Sequence, residues 1–559
     1  MVPRLSWIDL AMLVLLAGGL LWAVRLAGRL PDHVDGPTIS LAPSMLPLYT
    51  AMSMGRLMAA YALSLVFTVI FGYAAASSRR AERVLLPTLD VLQSTPIFSF
   101  LPAVLLAFCA VLPVRLAAEA ASVVLIVTCQ AWNIGFAWFQ ALTTLPNQLT
   151  EAGTIFRFNG WMRFKTVQLP FAAISLIWNS MVSWANGWFF LMAAEMLRLG
   201  DRDFRLPGLG TYVQEAANQG NRVALVWGVL TLLVAILALD QLVWRPLLSW
   251  ANRFSAGAGD EEPPRSWFYD LLKTARLATL ASQATDGIGE LVDRNLVKWF
   301  PPRAEYAGDG NLGEKAGCAL ALAVLLSALW GIIHSADLLV QVSAAEWREI
   351  TVGIAATFGR VLLALALSLA WTLPVGVAIG TRPRLAARLQ PLVQLAASVP
   401  ATALFPVVLM YIPSSAGGLS IAAIILMTAG TQWYLLFNIL AGASSIPQEM
   451  QYSASLLGFN RWQRWRYLIL PALWPHIVTG SVVASGGAWN VCVVAEYVTF
   501  QGRTLQTHGA GATITRAAGD ANYPLLLAAT LTMVAVVILV NRLVWGRLFN
   551  LASDRYRME

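Results

Sequence analysis

The sequence predicts an all-α polytopic membrane protein of about twelve transmembrane helices, arranged as two parallel repeats of six. Three observations carry this. The 559-residue chain is 58% hydrophobic and only 12% charged, about half the charge of an average soluble domain. Apolar runs long enough to span a bilayer, which takes about 20 residues, recur in two equal sets. The two sets match one another residue by residue.

Composition narrows the class further. Mean hydropathy is +0.64, and 38 basic residues stand against 30 acidic ones. A disordered chain, an ordinary cytosolic enzyme and a nucleic-acid binder working through a basic surface are excluded. Cys109, Cys129, Cys318 and Cys492 lie far apart in apolar stretches, and the four histidines are equally scattered. That spacing builds no metal site and no disulfide framework.

The first set of apolar runs lies at about 8–28, 54–76, 97–117, 120–142, 171–197 and 223–245. The second lies at about 316–337, 351–380, 393–413, 418–440, 472–499 and 523–545. The run at 8–28 is read as a retained helix, because Met1–Arg4 makes a weak n-region and no clear cleavage site follows. Placing both termini in the cytoplasm puts Arg79, Arg80, Arg83, Arg157, Arg163 and Lys165 inside, with Arg382, Arg384, Arg388, Arg461, Arg464 and Arg466. The positive-inside rule favours that orientation.

The chain divides into a first half (1–250), a polar linker (251–315) and a second half (316–559), with repeat cores at about 50–250 and 350–550. The linker passes through a Gly- and Pro-rich stretch at 255–264. Trp267, Phe268, Leu271, Leu272 and Ala275 then recur at helical spacing, and Leu291, Val292, Asn295 and Trp299 form a weaker stripe. Both fit amphipathic helices lying on a membrane surface.

The repeat is the strongest feature. A shift of 304 residues aligns Gly55-Arg56 with Gly359-Arg360, Gly72 with Gly376, Pro96 with Pro400 and Pro102 with Pro406. A shift of 301 aligns Pro146 with Pro447, Trp161 with Trp462, Leu169-Pro170 with Leu470-Pro471, Trp188 with Trp489 and Glu195 with Glu496. Chance matches Leu and Ala, not Gly, Pro, Trp and Glu in register. An even number of spans per copy makes the repeat parallel, and two parallel copies can enclose a pathway. This favours a transporter or channel over a membrane enzyme.

Two long loops, 143–170 and 443–471, occupy equivalent places. They contain LPNQLTEAGTIFRFNGWMRFKTVQLP and IPQEMQYSASLLGFNRWQRWRYLILP. Each holds a short helix after Pro, then basic and aromatic residues, then Leu-Pro at the start of a span. A short helix of small residues suits insertion into a partner's groove.

These loops resemble the EAA loop of binding-protein-dependent ABC importer permeases: Glu-Ala-Ala, then Gly, then Leu-Pro. Glu151-Ala152-Gly153 matches in the first copy, where Arg157 stands at the family's Gly. Gly458 matches in the second, where Tyr452-Ser453-Ala454 replaces Glu-Ala-Ala. Gly-Arg before the first core span, the segments Pro96–Pro102 and Pro400–Pro406, and the Ala-Glu pairs at 194–195 and 495–496 look like the nitrate/sulfonate/taurine branch. Two permease units in one chain resemble its duplicated anion-transport permeases.

The resemblance implies a type I importer in an inner membrane, each half having five core helices plus one N-terminal helix. It implies two ABC ATPase subunits docked on the two loops, and an extracytoplasmic solute-binding protein that delivers a small anion. No nucleic-acid partner is implied. The chain itself has no Gly-x-x-x-x-Gly-Lys-Ser/Thr; the stretch Gly308–Lys315 lacks the Ser/Thr. ATP and Mg are therefore expected on the partner chains, with no cofactor on this one and no catalytic residue. The alternative is a secondary transporter or channel of duplicated origin with no ATPase partner.

Candidate pathway residues are Ser94, Thr95, Gln130, Asn186, Ser398, Gln432 and Asn490, all neutral hydrogen-bonding groups in apolar surroundings. Thr95-Pro96 reads as an N-cap followed by Pro at the first helical position, a helix start able to offer N–H groups to an anion. Glu195 and Glu496 join the list as ionisable groups at membrane depth. Two carboxylates would repel an anion, so pairing with backbone or an Arg is their other reading.

Overall fold

Pro96, Pro113 and Pro400 stand at breaks between helices of this chain. Proline has no N–H to donate and pushes the preceding residue out of the α region. The computed structural model describes residues 36–76, 79–94, 96–199, 202–254, 266–274, 337–412 and 417–548, with Val34, Asp293 and Leu551. The runs expected at 8–28 and 316–337, and most of the linker, lie outside the described residues.

The first half runs α1 (Leu46–Ala76), α2 (Arg79–Ser94), α3 (Ile97–Cys109), α4 (Val114–Thr143), α5 (Asn147–Ile155) and α6 (Leu169–Glu195). A hairpin of β1 (Arg198–Leu199) and β2 (Arg202–Asp203) follows, then α7 (Leu209–Asn218) and α8 (Arg222–Leu239). In the linker, α9 is Trp267–Thr274. The second half repeats the order as α10 (Ala344–Gly380), α11 (Pro383–Ala397), α12 (Ala401–Tyr411), α13 (Gly418–Ser444), α14 (Gln448–Leu456) and α15 (Leu470–Ala495). Its hairpin pairs β3 (Tyr497–Phe500) with β4 (Arg503–Gln506), before α16 (Ala510–Gly519) and α17 (Tyr523–Val540).

Seven helices among the described residues are long and apolar enough to cross a membrane. Two expected spans are corrected. The run at 97–117 is not one helix: α3 ends at Cys109 and α4 begins at Val114. The run at 393–413 is likewise split, with α11 ending before Pro400 and α12 beginning after it. The 13 residues of α3 and 11 of α12 reach about 20 and 17 Å at 1.5 Å per residue, short of the ~30 Å hydrocarbon layer. The expected Thr95 cap is also corrected: Pro96 itself occupies the N-cap of α3, with no side-chain cap bond.

Ahead of α6 and α15 the helix widens into π turns, Phe164–Gln168 and Trp465–Ile469. Pro170 and Pro471 would crowd the carbonyl four residues back, and the wider turn relieves that crowding. Other duplicated details are Asn caps. Asn159 and Asn460 accept from Met162 and Gln463 N–H, and Asn221 and Asn522 from Ala224 and Leu525 N–H.

In each half the central helix packs between two others, α4 between α1 and α6, α13 between α10 and α15. The paired Gly72 and Gly376 mark close approaches. A Cβ on Gly72 would fall 2.1 Å from Trp138 Cδ1, and one on Gly376 would fall 2.7 Å from Ile439 Cγ2. The halves exchange their short helices: α3 lies against α15 and α16, and α12 against α6 and α7. One apolar core runs through both copies.

Candidate functional site

The helix exchange leaves a cavity of about 410 Å3 between the halves. Equivalent positions line it from both sides: Cys129 and Gly430, Asn133 and Tyr434, Asn186 and Gly487, Phe189 and Asn490. Its wall is aromatic and amide-rich, with Trp132, Phe190, Trp489 and Trp545 beside Gln93, Ser485 and Asn541. The Tyr434 hydroxyl donates to Asn186 Oδ1 at 2.7 Å, joining the halves across it. Asn490 Oδ1 accepts from the Ile97 N–H at 2.5 Å and the Phe98 N–H at 3.4 Å.

The expected pathway residues divide. Asn186 and Asn490 line the cavity. Gln130 is buried behind it, against Gly187, where a Cβ would fall 2.7 Å from its Nε2. Gln432 is half-buried on α13 and is not on the cavity wall, and Ser398 sits in the break between α11 and α12. Ser94 ends α2, and Thr95 lies outside the described residues. The positions missed from sequence, such as Asn133 and Tyr434, are those where the two copies differ in chemistry. That divergence within an aligned repeat was the available signal.

Glu195 and Glu496 lie elsewhere, fully buried at the hairpin end. Glu195 accepts from Arg56 Nη1 at 2.8 Å, Ser53 Oγ at 2.6 Å and Gly210 N at 2.7 Å. Arg56 also forms a bidentate pair with Glu119, at 2.6 and 2.7 Å. The second half repeats this arrangement position by position, with two residue changes. Glu496 accepts from Arg360 Nη1 at 2.7 Å, Thr357 Oγ1 at 2.8 Å and Gly511 N at 2.9 Å. Ser420 takes the place of Glu119, 3.3 Å from Arg360 Nη2. Each carboxylate thus ties the last turn of α6 or α15 to α1 or α10 and to the free N–H groups starting α7 or α16, a favourable seat for an anion. The geometry is that of a clamp rather than a solute contact.

At the opposite end, α5 and α14 project as short exposed helices. Gly153 and Ala454 are the buried positions, with Gly153 against Phe158. Glu151, Arg157, Tyr452, Ser453 and Gly458 are exposed, and Ala152 is half-buried. Ile155, Phe156, Leu456 and Leu457 add an uncovered apolar rim. Among the described residues, the linker holds the first loop: Asp293 accepts from Trp161 Nε1 at 2.8 Å and from Lys165 Nζ. Those bonds, Lys165 first and Trp161 second, hold the Asp293 carboxyl below its usual range.

Comparison with known proteins agrees with this architecture. Residues 68–243 and 372–545 each match the family model described as binding-protein-dependent transport system inner membrane component. The chain is 30% identical over 145 residues to the taurine transport system permease protein TauC of Escherichia coli, covering 26% of this chain and 51% of that one. It is 30% identical over 146 residues to the nitrate import permease protein NrtB of Leptolyngbya laminosa, covering 26% and 51%. It is 30% identical over 155 residues to the riboflavin transport system permease protein RibX of Chloroflexus aurantiacus, covering 27% and 52%. The chain spans about half the length of the curated relatives it matches. With the family model matched twice, over more than half its length, the chain belongs to the binding-protein-dependent transport system inner membrane components, the permeases of ABC importers, as a duplicated member.

Proposed function

We propose that this chain is the transmembrane permease subunit, both halves fused, of an ATP-driven importer for a small anion. An extracytoplasmic binding protein delivers the solute at the hairpin end, and two separate ATPase subunits dock on α5 and α14 at the cytoplasmic end. The observation that supports this best is the pair of equivalent, exposed short helices with an apolar rim at one end of both halves. Glu151, Ala152, Gly153 and Arg157 form one docking surface, and Tyr452, Ser453, Ala454 and Gly458 the other. ATP then acts by favouring one of two arrangements of the halves, and the coupling equals its difference in affinity for them. ATP and Mg bind the partners and not this chain.

The anion reading is supported by the amide-lined cavity, whose lining among the described residues carries no charged side chain, and by the two relatives named for taurine and nitrate. The aromatic wall gives specific support to a second reading, a flat organic solute such as the riboflavin of the third relative's name. Uptake into membrane vesicles tests both. ATP-dependent accumulation of taurine, nitrate or bicarbonate, not displaced by riboflavin, is expected. Uptake that needs neither ATP nor a co-purifying ATPase overturns the proposal.

A further inference from the structure

The stretch that joins α5 to α6 and the one that joins α14 to α15 follow the same backbone plan. Asn159 and Asn460 cap the one-turn helices Gly160–Arg163 and Arg461–Arg464, and the π turns Phe164–Gln168 and Trp465–Ile469 follow. Both copies place a tryptophan second in the short helix, Trp161 or Trp462, and a cation second in the π turn, Lys165 or Arg466. Side chains four residues apart on a helix lie on one face, so the two can share an acceptor. In the first copy they do: Asp293 accepts from the Trp161 indole N–H at 2.8 Å and from Lys165 Nζ.

In the second copy the same pair is uncovered. Trp462 is 69% exposed and Arg466 is exposed, and neither side chain has a hydrogen-bond or ion-pair partner among the described residues. Arg466 lies over the Tyr467 ring, 5.8 Å from its centroid, a stacking that leaves the N–H edge of the guanidinium free for a carboxylate. Arg461 stands where the first copy has Gly160, and Arg464 where it has Arg163, so the second stretch is the more basic. It is also tied to α14, because Arg464 Nη2 donates to Ser455 Oγ at 2.6 Å. The open pair thus belongs to the same exposed end as the apolar rim at Leu456 and Leu457.

We propose that Trp462 and Arg466 form an open grip for a carboxylate, an Asp or Glu side chain, of the ATPase subunit docked on α14. This rests on the importer reading above and adds a specific contact to it. The first copy shows what such a grip takes, a protein carboxylate, and the extra arginine around the second favours an acidic surface opposite it. The guanidinium of Arg466 also fits a carboxylate better than the ammonium of Lys165, since it can donate two parallel N–H bonds. The two docking faces are then unequal. The first meets its ATPase with the grip already filled from within the chain, and the second fills its grip from the partner. An exposed pair of this kind is screened by salt, so it orients the docked subunit more than it holds it.

Carbodiimide cross-linking of the complex purified from native membranes is the test. The reagent condenses a lysine amine with a touching carboxylate into an amide and itself takes up the water lost. In wild type the Lys165–Asp293 amide is expected and serves as the internal control. In Arg466→Lys a second amide should form, between the introduced lysine and an Asp or Glu of the ATPase, and mass spectrometry of the digest locates it. Adding Trp462→Phe, which keeps an aromatic ring and removes the N–H, should lower its yield roughly threefold or more, the scale of one lost hydrogen bond. An unchanged yield rejects the indole's share of the grip. A cross-link from the introduced lysine to a carboxylate of this chain overturns the proposal. So does no cross-link there while the Lys165–Asp293 control forms, which is the result a contact with lipid headgroups gives. Failure of the importer reading is distinct from both: no ATP-hydrolysing subunit then purifies with the chain.

Discussion

Arg157 and Gly458 occupy equivalent positions two residues past the ends of α5 and α14, and both are left-handed, at φ 50° and 66°. The next N–H closes the turn in each copy, Phe158 to the Gly153 carbonyl at 2.9 Å and Phe459 to the Ala454 carbonyl at 3.0 Å. The cap geometry is therefore shared, although only one copy has the residue that adopts it freely. Left-handed backbone costs a side-chain-bearing residue about 1–2 kcal/mol. Arg157→Gly should stabilise the first loop by about 1 kcal/mol, and Gly458→Arg should destabilise the second by a similar amount. Hydrogen exchange at Phe158 and Phe459 reads both, and unchanged protection would count against the cap.

A Cβ at Gly458 meets open space, so beyond the local cost of its left-handed backbone a side chain there perturbs what docks. Gly458→Asp should lower the melting temperature no more than Gly458→Ala does, while lowering solute uptake per ATP hydrolysed by an order of magnitude. Parallel uptake and ATPase measurements decide it, and equal coupling in the variant rejects docking at this face.

The carboxylate clamps give a stability prediction. Glu195 is fully buried, and the Arg56 side chain is 6% exposed. Removing one member of a buried pair costs about 3–5 kcal/mol, because the other charge is left uncompensated. Glu195→Ala should lower thermal stability by that order, and adding Arg56→Ala should cost less than the two single changes summed. Full stability with lost uptake would instead place Glu195 on the solute's path.

Gly208 and Gly509 have extended backbones, so their requirement is space. A Cβ on Gly208 would fall 2.2 Å from Glu195 Oε1, and one on Gly509 2.1 Å from Glu496 Oε2. Overpacking of this kind costs about 1–3 kcal/mol. Both Gly→Ala variants should melt earlier, whereas Gly55→Ala, which meets nothing within 4 Å, should not. Equal melting of all three contradicts the clamp.

Asp293 predicts an asymmetry between the loops. Its carboxyl is held below its ordinary range in the folded chain, so its contribution is present above the unfolded value and is lost as pH falls through the lowered one. Hydrogen exchange across 160–168 should rise in acid, and at neutral pH in Asp293→Ala. The equivalent 461–469 should not respond to that substitution. A matching response in both loops would remove the linker's selective hold.

Much of this protein was legible in its sequence because a bilayer simplifies the problem. Backbone groups in hydrocarbon must be satisfied within the segment, so apolar runs became helices, and the in-register Gly, Pro, Trp and Glu became a doubled fold. Legibility failed where partners come from distant residues. Pro113 and Pro400 were visible, but a hydropathy run does not register a break inside itself, so two split helices looked like single spans. For Glu195 and Glu496, pairing with backbone or an Arg was the favoured reading over a place on the pathway, but the sequence did not name the partners, Arg56 and Arg360. By itself the sequence determined the helical class, the duplication and the two loops, all set by local composition and spacing. Only the tertiary structure decided that Asn490 of one half covers the helix start of the other. That contact spans 393 residues and exists only because the halves exchange their short helices.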